Sequence, residues 1–184
     1  MINVKLYVIG VVQDPNVYKE LKKHELVKNR HVIFITDSEY TAEASKMLYL
    51  ADAVIGSGRG LMEAASLKKP VLAINKNGDV PVLLNDSYFS DAFKTNFSER
   101  NIFPELDGKE NLNNIAGLIQ DKYYYNEIST FAFNCFNKYF NLNKVEGEYI
   151  NVYKKSSISK RYLFEDSLII LKSFYHFFIG AIKN

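Results

Sequence analysis

The stretch at residues 51–72 reads ADAVIGSGRGLMEAASLKKPVL. It contains an apolar run at 53–55, three glycines within the next five residues, a helical pattern at 61–68 and a second apolar run that starts at Pro70. A short apolar strand, a glycine-rich turn, a helix and another strand make up a β-turn-α-β unit. Such a unit predicts two parallel strands joined by a right-handed crossover.

The same rhythm precedes this stretch. Apolar runs at 4–9 and 32–35 predict two further strands, each buried on both faces of a parallel sheet. Charged amphipathic patterns at 16–28 and 39–50 predict the intervening helices. The sequence therefore predicts an α/β fold with a Rossmann-like parallel sheet flanked by helices, and a fourth strand at 70–74.

The second half of the chain is less regular and richer in helix patterns. Residues 80–84 are compatible with either a further strand or an irregular apolar segment, and 145–153 is ambiguous. Helices are predicted at 87–97, 112–121, 123–140 and 161–182, the second with Leu112, Ile115, Leu118 and Ile119 facing inward. We expect a Rossmann-like domain at 1–140 and a helical C-terminal extension at 141–184.

Composition excludes several classes of protein. The 184 residues are 47% hydrophobic and carry a formal charge of +2, too small for a nucleic-acid footprint. The single cysteine, Cys135, cannot form an internal disulfide and is expected in the core, which favours a cytoplasmic location. No signal peptide is recognisable, and the apolar stretch at 168–182 is shorter than the roughly 20 residues that cross a bilayer.

The glycine-rich turn has the chemistry of an anion site. Glycine permits positive φ and lets a ligand approach the backbone, and the first turn of a helix leaves N–H groups without partners. Its dipole also favours negative charge. The candidate binding residues are Gly56, Ser57, Gly58, Arg59 and Gly60 for a phosphate, with Glu63 one turn further on to accept hydrogen bonds from a ribose diol.

Structural explanations of the same residues remain open. Glycines at a strand–helix junction also ease tight packing, and Glu63 also interacts favourably with the N-terminus of its own helix. The turn matches neither G-x-G-x-x-G nor the phosphate loop G-x-x-x-x-G-K-[ST]. Asn75, Asn77 and Asp79 follow the fourth strand and are either turn formers or ligand contacts.

Residues 51–72 resemble the C-terminal, donor-binding half of GT-B glycosyltransferases, close to family 4 (group 1). In that family a strand after "AD" leads to a loop, a helix with "EA" and a strand that begins "G-K/R-P-V"; here these are Ala51-Asp52, Glu63-Ala64 and Lys69-Pro70-Val71. The resemblance continues more weakly over 4–140, including Asn96-Phe97-Ser98 before a polar loop. The earlier acidic residue of the family's loop is replaced by Ile55.

The resemblance implies that residues 1–140 form a nucleotide-sugar-binding domain, whose donor substrate is a nucleotide-diphosphate sugar. Glu63 would contact the ribose hydroxyls, and residues 56–60 would lie near the diphosphate and the sugar. GT-B enzymes characteristically need no bound metal, because helix dipoles and basic side chains stabilise the departing diphosphate. We therefore expect no metal and no other cofactor. No catalytic residue is assigned.

The resemblance also implies partners. A complete GT-B enzyme has an N-terminal acceptor domain, which we expect to be missing here, so the chain alone should bind donor weakly and turn over little. The acceptor would be a glycan or a lipid-linked sugar. The basic, aromatic C-terminal segment would brace that domain or rest on the inner face of the membrane. The alternatives are a sugar-nucleotide epimerase of GT-B shape and a non-catalytic nucleotide-binding or interaction module.

Overall fold

The structure is a computed structural model that describes residues 4–155 and 167–173. The chain divides into two units, 1–141 and 142–184, and the first is an α/β unit with small parallel and mixed sheets. Its strands are β1 (Leu6–Ile9), β2 (Val32–Ile35), β3 (Val54–Gly56), β4 (Val71–Ala73) and β5 (Val82–Leu83). Its helices are α1 (Pro15–Leu21), α2 (Glu25–Lys28), α3 (Ser38–Thr41), α4 (Arg59–Ser66), α5 (Phe89–Lys94), α6 (Gly108–Gln120) and α7 (Lys122–Tyr139), with a 3-10 helix at Ala44–Leu50. The second unit contains α8 (Leu142–Lys155).

The described strands form two sheets. Strands β1 and β2 pair in parallel with Leu6 opposite Val32, while β3 and β4 pair in parallel with Gly56 opposite Ala73. Strand β5 joins β4 antiparallel. Parallel pairing is confirmed for β1–β2 and β3–β4, but the described strands form two sheets instead of one, and β5, from the segment 80–84 whose structure the sequence left open, adds an antiparallel pair. Only residues 74–81 connect β4 to β5, too few for the crossover that a parallel partner requires.

The pair β1–β2 is more exposed than its apolar sequence indicates. The side chains of Leu6 and Tyr7 are 43% and 52% exposed, and every residue of β2 is half-buried. Tyr18 of α1 and Phe34 of β2 form an edge-to-face contact, with their ring centroids 5.3 Å apart. The prediction of burial on both faces is wrong for these strands, because an apolar run does not say whether a second layer covers it.

Two predicted helices are interrupted. The segment 16–28 breaks between α1 and α2, where the Nδ1 atom of His24 accepts a hydrogen bond from the Leu26 amide at 3.3 Å and so begins a new helix. The segment 39–50 is α3 followed by the 3-10 helix. Helix α8 covers the ambiguous segment 145–153, whereas the helix predicted at 161–182 lies outside the described residues except at 167–173, which are helical.

The core of the first unit lies where α4 and α7 pack on β4 and β5. Its fully buried members include Leu61, Ala64, Ala73, Val82 and Leu84. An aromatic cluster joins α5 to the end of α7 and consists of Phe89, Phe93, Phe97, Tyr139 and Phe140. This packing fixes α4, and therefore the turn that precedes it, against the ends of β3 and β4.

Helix α6 faces the core through an asparagine. Asn111 is almost fully buried; its Oδ1 atom accepts from the Leu83 amide and its Nδ2 atom donates to the Pro81 carbonyl, each at 3.0 Å. Ile115 and Leu118 are partly buried as predicted, but Leu112 and Ile119 are exposed. Strand β5 needs a partner for its amide, and supplying it turns Asn111 inward and the next residue outward.

Among the described residues, no helix combines the length and the apolar character that crossing a membrane requires.

Replacing Asn111 with Ala should lower the free energy of unfolding by about 3 kcal/mol, because it leaves the buried Leu83 amide and the half-buried Pro81 carbonyl without partners. Urea denaturation measures this. The matched control is Asn113→Ala on the exposed side of α6, which should change the stability by less than about 0.5 kcal/mol. Equal effects of the two substitutions would contradict the role of Asn111.

Cys135 lies half-buried on α7, beside Asp86 and Lys138 in an open groove. Burial is the main cause that raises the pKa of its thiol to about 11; the carboxylate of Asp86 adds to this shift and Lys138 partly offsets it. Because only the thiolate is nucleophilic, iodoacetamide at pH 8 should alkylate Cys135 about 100-fold more slowly in the folded protein than in urea. Mass spectrometry measures both rates, and equal rates would contradict this environment.

Candidate functional site

The glycine-rich turn lies at the carboxyl ends of the parallel strands β3 and β4, the edge at which open α/β sheets bind ligands. Gly58 is the N-cap residue of α4 and has φ 55° and ψ −134°, a backbone conformation that only glycine adopts without strain. A Cβ atom at Gly58 or at Gly60 would meet no atom within 4 Å. The mouth of the turn is therefore open.

The backbone amides of this turn are only partly engaged. The Gly58 amide donates to the carbonyl of Phe97 at 2.6 Å, and the Leu61 amide donates back to the Gly58 carbonyl at 3.2 Å. Within the described part of the chain, the amides of Arg59 and Gly60 donate to no protein group. Two N–H groups at the positive end of α4 thus remain available to a ligand.

The two charged candidates form an ion pair with each other. The Nε atom of Arg59 lies 2.6 Å from Oε1 of Glu63, one turn along the same helix. The Arg59 side chain is 89% exposed and that of Glu63 is 30% exposed. Exposed pairs at this spacing contribute about 0.3–0.5 kcal/mol, and less when the cation precedes the anion along the helix. A ligand can therefore separate them at small cost.

A loop at residues 95–101 is hydrogen-bonded to the same edge. Asn101 is fully buried; its Nδ2 atom donates to the Ile74 carbonyl at 3.0 Å, and its carbonyl accepts from the Lys76 amide at 2.9 Å. The hydroxyl of Thr95 contacts its Oδ1 atom. The loop also contains Phe97, whose side chain lies in the core and whose carbonyl engages Gly58.

The asparagines after β4 act locally. The Oδ1 atom of Asn75 accepts a hydrogen bond from the Asn77 amide at 3.2 Å, which is the geometry of an Asx turn. Asp79 is exposed. The structure therefore gives Asn75 a turn-forming role.

The loop 95–101 was missed as part of the site. Asn96-Phe97-Ser98 was predicted only as part of the family resemblance, and no role was predicted for Asn101. No local pattern reveals a buried asparagine among polar neighbours. Arg100, also in this loop, is exposed and forms no ion pair among the described residues. Arg59 lies on α4, and Arg100 is a second cation, carried by the loop that is hydrogen-bonded to this edge.

In the described residues, no group of three His, Cys, Asp or Glu side chains is arranged to hold a metal ion. Comparisons with protein-family models, curated proteins and solved structures give no match to this chain.

Replacing Gly58 with Ala should destabilise the protein by about 1–3 kcal/mol, because a side chain is strained at this φ whatever space surrounds it. Gly60→Ala is the matched control: it lies two residues away inside α4, where alanine is the better helix former, and should be neutral or stabilising by up to about 1 kcal/mol. Urea denaturation compares them. Similar destabilisation by both substitutions would contradict the role of the backbone conformation at Gly58.

Proposed function

We propose that this chain is the donor-binding domain of a glycosyltransferase, with a Rossmann-like fold corresponding to the C-terminal half of a GT-B enzyme. It would hold a nucleotide-diphosphate sugar, from which a sugar is transferred to a glycan or a lipid-linked acceptor. The resemblance of residues 51–72 to family 4 (group 1) supports this proposal, as does the position of the glycine-rich turn at the carboxyl ends of β3 and β4.

One observation carries the proposal: the N-terminus of α4 combines uncommitted amides with a cation. A positive side chain in the first turn is unfavourable, because the helix dipole is already positive there. Arg59 nevertheless occupies that position, next to amides that donate to no described protein group. A bound diphosphate would remove this unfavourable arrangement and accept hydrogen bonds from both.

Glu63 would bind the ribose. When the diphosphate draws Arg59 away, the carboxylate of Glu63 is released from its ion pair and can accept hydrogen bonds from both hydroxyls of a vicinal diol. Its side chain is 30% exposed, so it remains accessible from solvent. The i,i+4 pair neutralises both charges, and a bound donor would separate them.

In the transfer reaction, this domain would stabilise the leaving group. The bond between the anomeric carbon and the diphosphate breaks, negative charge develops on the departing oxygen, and the amides of Arg59 and Gly60 with the Arg59 guanidinium would stabilise it. The acceptor and the groups that activate it would belong to an N-terminal domain.

Isothermal titration calorimetry with UDP and GDP, and with their 2′-deoxy analogues, tests the proposal. Glu63→Gln should weaken binding of the preferred ribonucleotide by about tenfold and leave the 2′-deoxy analogue nearly unaffected, because only the ribose diol uses the carboxylate. Arg59→Gln should weaken both analogues equally and weaken the diphosphate more than the nucleoside.

The matched control is Glu110→Gln, which changes a carboxylate in the first turn of α6, a different helix. It should leave all affinities unchanged. Absence of heat with every nucleotide would reject the proposal in favour of an interaction module. Isomerisation of a nucleotide sugar without transfer would instead favour an epimerase.

A further inference from the structure

Asn101 bonds to neighbouring segments through both its side chain and its backbone. Its side chain bonds to the Ile74 carbonyl just beyond β4 and contacts the Thr95 hydroxyl, while its backbone carbonyl accepts from Lys76. Asn101 itself is fully buried, and its two side-chain bonds are partly buried. Asn101 therefore fastens the end of the 95–101 loop to the segment that follows β4.

The same loop reaches the glycine-rich turn four residues earlier. The Phe97 carbonyl accepts the Gly58 amide at 2.6 Å. Asn96 and Phe97 both have positive φ, 54° and 55°. Asparagine tolerates this conformation, but a bulky residue such as phenylalanine adopts it only where its surroundings maintain it. The Phe97 ring packs in the core and fixes the first part of the loop, and Asn101 fixes its last residue.

We infer that Asn101 is a positioning residue for the glycine-rich turn: through the loop 95–101 it holds the Phe97 carbonyl on Gly58, and so fixes the turn that presents the Arg59 and Gly60 amides. The structural part of this inference stands on the bonds alone. Its consequence for ligand affinity rests on the proposed function, with a nucleoside diphosphate as the ligand.

Hydrogen exchange of individual amides, followed by NMR, tests the structural part without a ligand. In Asn101→Asp, the introduced carboxylate cannot donate to the Ile74 carbonyl and repels it. Protection of the Gly58 amide should fall by about tenfold or more relative to the Leu72 amide in β4. Unchanged relative protection of Gly58 would overturn the inference.

Asn111→Asp is the matched control. Asn111 is as buried as Asn101 and its side-chain amide also makes two hydrogen bonds, but both are to backbone groups and it lies between α6 and β5. The control should lower protection of the core amides without a selective loss at Gly58. If both variants affect Gly58 and Leu72 in the same proportion, Asn101 is merely structural and the inference fails.

Protonation provides a rescue within one variant. At about pH 4.5 the buried carboxyl group of Asn101→Asp regains a proton and can again donate to Ile74, whereas at about pH 8 it is ionised. The ratio of the Gly58 protection factor in the variant to that in the wild type, both measured at the same pH, should rise toward one at the lower pH. A deficit that is independent of pH would argue against this hydrogen bond.

Thr95→Val provides a milder variant if Asn101→Asp folds poorly. It removes the hydroxyl that contacts Asn101 and also bonds to the Ala92 carbonyl at 3.1 Å, and it should lower Gly58 protection by about threefold. Calorimetry with UDP and GDP then measures the functional consequence, an affinity about tenfold weaker in Asn101→Asp and unchanged in Asn111→Asp. If wild type binds neither nucleotide, the proposed function fails, while the exchange result still decides the role of Asn101.

Discussion

Three hydrogen bonds that converge on the ends of β3 and β4 organise the candidate site. The Gly58 amide donates to Phe97, the Asn101 amide group donates to Ile74, and the Lys76 amide donates to Asn101. Phe97 and Asn101, which make these bonds, are the buried residues of the loop, so the bonds are costly to lose. The loop thereby gives the glycine-rich turn a fixed partner and leaves the next two amides uncommitted.

Electrostatics at the N-terminus of α4 follow from this arrangement. Arg59 stands where the helix dipole is positive, and Glu63 compensates from one turn away. Neither charge is buried deeply enough to make the pair strong, so the pair keeps the surface neutral at little cost to a ligand that separates it. A surface of this kind suits a dianionic group attached to a diol, which is the chemistry behind the proposed donor.

The prediction of the β-turn-α-β unit followed from local signals, and the structure confirms its elements. Strands β3 and β4, their parallel pairing and the helix between them lie within about two residues of the predicted positions. The errors arose where a second layer or a partner strand decides. The exposure of β1, the antiparallel pairing of β5 and the inward turn of Asn111 all depend on residues distant in sequence.

The sequence by itself determined the α/β class, the place of the glycine-rich turn and the i,i+4 spacing of Arg59 and Glu63, because apolar runs, glycine and helical periodicity act over a few neighbouring residues. Only the tertiary structure decided that Phe97 engages Gly58 and that Asn101 is buried. Those contacts join segments about 25 to 40 residues apart, and loop closure of that length carries no local signature.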